Sequence, residues 1–121
     1  MGKKVLVVDD SAAIRQSVSY ILSQADYEVV EAEDGKIGER RLDDGPFDLV
    51  LTDVNMPNMD GIELVRRVRA HSAHRFTPIV VLTTESQDSK MAEGKEAGAT
   101  GWIVKPFDAD KLLGVVRKLV D

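Results

Sequence analysis

The chain has 121 residues, no cysteine and a formal net charge of −5. That length suits one domain with its own core and is short for two, so residues 1–121 are read as a single domain. The missing cysteines exclude disulfides and thiolate metal sites, and the acidic balance argues against nucleic acid as the main partner.

Met1-Gly2-Lys3-Lys4 leads into only four apolar residues, Val5-Leu6-Val7-Val8, before Asp9-Asp10. This is no signal peptide, and no run elsewhere is long enough for membrane insertion, so a soluble cytoplasmic protein is expected. From Ser11 to Ala25, Ile14, Val18, Ile21, Leu22 and Ala25 recur at helical spacing, with Asp10 or Ser11 as the N-cap. Tyr27 to Ala32 reads as a strand carrying Glu28 and Glu31, which suits an edge. A short helix after Asp34 contains Gly38, at a cost of roughly 1 kcal/mol relative to alanine, and is expected to be ragged.

Leu49-Val50-Leu51-Thr52 is the third strand and ends in Asp53. Pro57 and Asp60-Gly61 make a loop, and Ile62, Leu64, Val65 and Val68 then line the core face of a helix. Arg66, Arg67 and Arg69, like Arg40 and Arg41, read as solvated helix faces. His71 and His74 share a loop that offers no further metal ligand. Ile79-Val80-Val81-Leu82 ends in Thr83-Thr84. A helix marked by Met91, Ala92 and Ala97, and weakened by Gly94, follows it. It is expected to be a low-stability element. Trp102-Ile103-Val104 ends in Lys105-Pro106, and Leu112, Leu113, Val115, Val116, Leu119 and Val120 mark the last helix.

Five strand-helix units imply an α/β fold, a five-stranded doubly wound parallel sheet. With the second strand at an edge, the order is 2-1-3-4-5, the flavodoxin-like arrangement. Ligands of such sheets lie beyond the strand carboxyl ends, where the winding reverses, here between strands one and three. Asp9, Asp10, Asp53, Thr83 and Lys105 therefore converge. Singly, each has a plain role as cap, turn or loop residue. Together they hold three negative charges against one positive. Two carboxylates about 5 Å apart repel by roughly 3 kcal/mol at an effective dielectric of 20, so a divalent cation is expected. Hard oxygen ligands without histidine or cysteine select Mg²⁺. A carboxylate, Mg²⁺ and a lysine around one point suit phosphoryl transfer to an aspartate.

The motifs VLVVDDS, TDVNMPNMDG, VLTTES and GWIVKPF span nearly the whole chain. In them the sequence resembles response-regulator receiver domains, most closely the single-domain chemotaxis regulators of the CheY type. The resemblance implies that Asp53 is the phosphoacceptor and that Asp10, Asp53 and the Asn55 carbonyl hold Mg²⁺, with Asp9 acting largely through metal-bound water. It implies that Lys105 pairs with a phosphoryl oxygen and that Pro106 follows a cis bond. Thr83 is expected to sense the phosphoryl group and to work with Trp102, at a position where the family more often has tyrosine or phenylalanine. Asn55 and Glu85 are expected to tune the lifetime of the phosphoryl group.

The implied activity is that of a two-component switch that assists its own phosphorylation and dephosphorylation, and not of an enzyme. Its phosphodonor is a histidine kinase. No output domain follows Asp121, so the expected output is binding to a downstream protein such as the flagellar motor switch, as a monomer or a weak phosphorylation-dependent dimer. A haloacid-dehalogenase-type phosphatase would carry its nucleophile after the first strand and its acidic pair late, the reverse of the order here. A flavin carrier would need a phosphate-cradling loop after the first strand, where two aspartates would repel the ligand.

Overall fold

In the computed structural model, which describes residues 3–84 and 88–120, the apolar runs form one parallel sheet. The elements in chain order are β1 (Lys4–Val8), α1 (Ala12–Gln24), β2 (Glu28–Ala32), α2 (Gly35–Arg41) and β3 (Leu49–Asp53). They continue with α3 (Gly61–Ala70), β4 (Ile79–Thr84), α4 (Asp88–Ala97), β5 (Gly101–Lys105) and α5 (Ala109–Val120). The strand order is β2-β1-β3-β4-β5. The inner strands carry apolar runs, Val5 to Val8, Leu49 to Leu51 and Ile79 to Leu82, because both of their faces are covered. Glu28 and Glu31 are exposed on β2, the edge strand.

Side-chain alternation along the strands sorts the core into two layers. Val5, Val7, Leu49, Leu51, Val80, Leu82 and Ile103 meet Val18 and Leu22 of α1 and Leu112 and Val116 of α5. Leu6, Val8, Val50, Ile79 and Val81 meet Ile62, Leu64, Val65 and Val68 of α3, with Ile37 of α2 and Ala97 of α4. No helix among the described residues is long and apolar enough to cross a membrane.

Local sequence explains most of the boundaries. Ser11, and not Asp10, caps α1: its hydroxyl accepts from the Ile14 N–H. Asp34 and Asp60 cap α2 and α3 through the Ile37 and Glu63 amides. The expected raggedness after Asp34 takes a definite form, in which α2 runs for seven residues and tightens into a 3-10 turn over Leu42–Asp44. Gly38 fits a tight space there, since a Cβ would lie 3.1 Å from the Val8 side chain and 3.2 Å from that of Leu64. Gly94 likewise lets α4 approach Ile62, whose side chain would lie 3.2 Å from a Cβ at that position. Ala92 is exposed, so the buried side of α4 is carried by Gly94 with Met91 and Ala97 partly covered.

One arginine read as part of a solvated face is tied into the fold, and one loop histidine is buried. Arg69 is partly buried, and its guanidinium donates to the carbonyls of Gly98, His74, Arg75 and Thr77 and to the Thr100 hydroxyl. It ties the end of α3 to the turns before β4 and β5. His74 is fully buried and accepts the Phe47 N–H at 3.3 Å. His71 bridges it to Asp43, with ring nitrogens 3.4 Å apart on one side and a 3.0 Å contact to the carboxylate on the other. Arg66, Arg67, Arg40 and Arg41 do lie on solvated faces, where Arg67 pairs with Glu63 and Glu39.

Candidate functional site

The carboxyl ends of β1, β3 and β5 meet where the winding reverses, and alternation decides which side chains face one another there. Asp53 follows Leu51 by two residues and Lys105 follows Ile103 by two, so both project toward the layer under α1 and α5. Asp9 stands in the same phase, two residues after Val7. Lys105 Nζ reaches Asp53 Oδ1 at 3.0 Å and Asp9 Oδ2 at 3.4 Å. One ammonium thus bridges two carboxylates that are far apart in sequence.

Carboxylate oxygens of Asp9, Asp10 and Asp53 all lie within 4.8 Å of one another. They differ in access: Asp10 is exposed, while the Asp53 and Asp9 side chains retain 13% and 1% of their accessible surface. The Asp9 carboxylate is held from behind, its Oδ1 accepting the Ser11 N–H at 2.9 Å. Its carbonyl accepts from Arg15 at 2.7 Å, and Arg15 also pairs with Glu31 of β2. Burial pushes the Asp53 carboxyl above the usual range and the Asp9 charge adds to the rise, against the hydrogen bond and charge of Lys105.

Three carboxylates around one ammonium leave this pocket at −2. Its donors are all hard oxygens within reach of a single ion, which fits Mg²⁺ in donor type and charge.

Thr83 is buried on β4, one residue beyond Leu82, the register partner of Asp53. It follows Val81 by two residues and so belongs to the layer under α2, α3 and α4. Trp102 lies beside Val81 in the β4–β5 register, is partly buried and packs against the same layer. The threonine and the indole therefore share one face of the sheet, and Asp53 and Lys105 occupy the other. Asn55 is exposed two residues after Asp53. Glu85 lies outside the described residues. The Lys105–Pro106 bond is cis.

Comparison with known proteins agrees with this geometry. The family described as the response regulator receiver domain matches residues 5–117. The chain belongs to the response regulator receiver family. The chemotaxis protein CheY of Pseudomonas aeruginosa is 35% identical over 119 residues, 98% of this chain and 96% of that protein. The structure of Vibrio cholerae CheY4 is 48% identical and covers 98% of this receiver and 99% of that chain, with a TM-score of 0.94. The relatives support a response regulator of the chemotaxis type. A receiver domain of a sensor histidine kinase from Pseudomonas aeruginosa was solved with a magnesium ion coordinated in its active-site cleft. It is 25% identical and matches over 99% of this chain and 98% of its own, with a TM-score of 0.92.

Several parts of the receiver site were not read in the sequence. Arg15 was not singled out, although it follows the cap Ser11 by four residues and so points back toward the strand end. Asp34 accepts from Asn58 at 2.7 Å, joining the start of α2 to the loop after β3. Gly61 starts α3 directly under the Asp53 carbonyl, where a Cβ would come within 1.9 Å of that oxygen. Only the Asp60-Gly61 pair carried a local sign, and only as part of a loop.

Proposed function

We propose that Asp53 is the phosphoacceptor of this receiver and that a histidine kinase is its phosphodonor. The single observation carrying this reading is the Lys105 ammonium spanning Asp53 and Asp9 at the carboxyl end of the sheet. Asp9, Asp10 and Asp53, with the Asn55 carbonyl, would hold Mg²⁺, which supplies positive charge toward phosphoryl oxygens when bound.

Asp53 must be ionised to attack phosphorus. Burial works against that, and the hydrogen bond from Lys105 offsets it. The attack forms a bond from an Asp53 carboxylate oxygen to phosphorus and breaks the bond to the donor histidine nitrogen. Lys105 then pairs with a phosphoryl oxygen in place of the carboxylate charge it held before. Asp9 is already committed to Ser11 and Lys105 and is almost fully covered, so it orients the lysine and does not compete as nucleophile.

Thr83 senses the phosphoryl group from the next strand. Its layer also contains Trp102, so a shift of the threonine is passed to the indole and to the surface around β4, α4 and β5. Asn55 tunes how fast the phosphoryl group is lost, and Glu85 is proposed to act with it. The product is an aspartyl phosphate that switches binding to a downstream protein. The relatives' names as chemotaxis proteins favour the flagellar motor switch as that target. The chain acts as a monomer or a weak phosphorylation-dependent dimer, a switch and not an enzyme turning over a free substrate.

Intact mass after brief incubation with Mg²⁺ and acetyl phosphate tests this reading. One phosphoryl adduct is expected on the wild type and none on Asp53→Asn or in chelator. An adduct that survives Asp53→Asn refutes the assignment of Asp53.

A further inference from the structure

Two contacts tie the loop between β3 and α3 to the start of α2. Asn58 Nδ2 donates to Asp34 Oδ2 at 2.7 Å. Asn58 itself has φ +70°, a left-handed conformation that asparagine adopts more readily than most residues other than glycine. Next to it, Met59 lies so close to Gly35 that a Cβ on the glycine would come within 2.2 Å of the Met59 carbonyl oxygen. Asp34 is fixed in turn, because its other oxygen caps α2 through the Ile37 N–H at 2.9 Å. The carboxylate therefore cannot follow the loop if the loop moves.

The same loop begins at the proposed phosphoacceptor. Asp53 is its last strand residue, Asn55 is two residues on, and the Gly61 N–H returns to the Val54 carbonyl at 2.8 Å. Held at Val54 by α3 and at Asn58 by Asp34, the segment between them has few conformations left.

We propose that Asp34 and Asn58 are positioning residues for the metal-binding loop: their hydrogen bond holds the segment carrying Asn55 in the shape that binds Mg²⁺. This rests on the receiver reading of the pocket. Neither residue touches the reacting atoms. Both act through the backbone, much as outer partners orient the ligands of other metal sites, where their loss typically weakens metal affinity by about 10- to 100-fold.

The test separates a positioning role from a merely structural one. Asn58→Gly removes the amide and leaves the left-handed backbone easy to form. The exchange Asp34→Asn with Asn58→Asp reverses the polarity of the bond and keeps the cap, since asparagine caps helices as well as aspartate does. Mg²⁺ affinity is read from the rise in the denaturation midpoint with Mg²⁺ concentration, and independently from the Mg²⁺ dependence of adduct formation with acetyl phosphate.

Asn58→Gly is expected to weaken Mg²⁺ about tenfold while the adduct rate at saturating Mg²⁺ stays at the wild-type value. The exchanged pair is expected to recover most of the affinity. Unchanged affinity in Asn58→Gly overturns the proposal. So does a loss that the exchange fails to restore, or a fall in the saturated rate with affinity intact. The wild type distinguishes the other failure: Mg²⁺ binding without an adduct refutes the phosphoacceptor reading and leaves the affinity comparison standing. A wild type that binds no Mg²⁺ overturns both.

Discussion

Replacing Asp10 with alanine should make the metal-free protein more stable. Asp10 contributes one of three carboxylates whose oxygens lie within 4.8 Å of one another. At that separation, each like-charge pair costs about 0.9 kcal/mol in bulk water and about 3.5 kcal/mol at an effective dielectric of 20. Asp10 is exposed, so the lower figure governs. Its two carboxylate neighbours then give about 2 kcal/mol of repulsion, and the lost attraction to Lys105 removes part of that relief. A net stabilisation of about 1 kcal/mol follows. No cap is lost in exchange, because Ser11 and not Asp10 bonds the Ile14 amide.

The assay is urea denaturation in chelator at low ionic strength. The midpoint should rise by about 0.5 M, taking a slope of about 2 kcal/mol/M, and the difference should shrink as salt screens the pocket. With Mg²⁺ present the order should reverse, since the wild type gains binding energy that the variant lacks. A variant clearly less stable than wild type in chelator at low salt would refute the reasoning and make Asp10 a structural residue.

Gly61→Ala should destabilise the fold by about 1–3 kcal/mol, the usual cost of overpacking, because the new methyl group collides with the Asp53 carbonyl. The same collision displaces the proposed phosphoacceptor, so adduct formation should slow even where the variant is fully folded; wild-type rates would place Asp53 beyond the reach of that contact. His74 yields a pH prediction. Burial, and then the neighbouring His71, hold its imidazole below the usual histidine range. The unfolded chain therefore takes up the proton first as pH falls, so this contribution to stability is intact above about 6.5 and declines below it. His74→Gln can still accept the Phe47 N–H, and its stability relative to wild type should improve between pH 7.5 and 5. Parallel denaturation midpoints across that range would remove His74 from the pH response.

The sheet order and the pocket were legible for one physical reason. Strands buried on both faces exclude charge along their length, so the first charged residue after each run marks the same edge. Val8 to Asp9, Thr52 to Asp53 and Val104 to Lys105 are three instances, and the two glutamates of β2 identified the exposed strand. What stayed hidden depends on partners far away in sequence. Arg69 has the composition of a surface residue and becomes internal only because the turns before β4 and β5 pass beside it. Gly38 and Gly94 looked like weak points of their helices, since the Val8, Leu64 and Ile62 side chains that need the space are known only from the packing. The Asp34–Asn58 bond spans 24 residues between two loops and has no periodic signature.

The Arg69 contacts lie at the amino ends of the strands, as does the buried His74 contact before β3. The repelling carboxylates gather at the opposite ends. The domain is thus polarised along its strands, with an anchored foot and a frustrated head. Ligation can relax the head without loosening the foot, so conformational change stays confined to the half of the molecule that carries the chemistry. Amides beside Arg69 and His74 should then exchange only on global unfolding, and those around Asp53 far sooner.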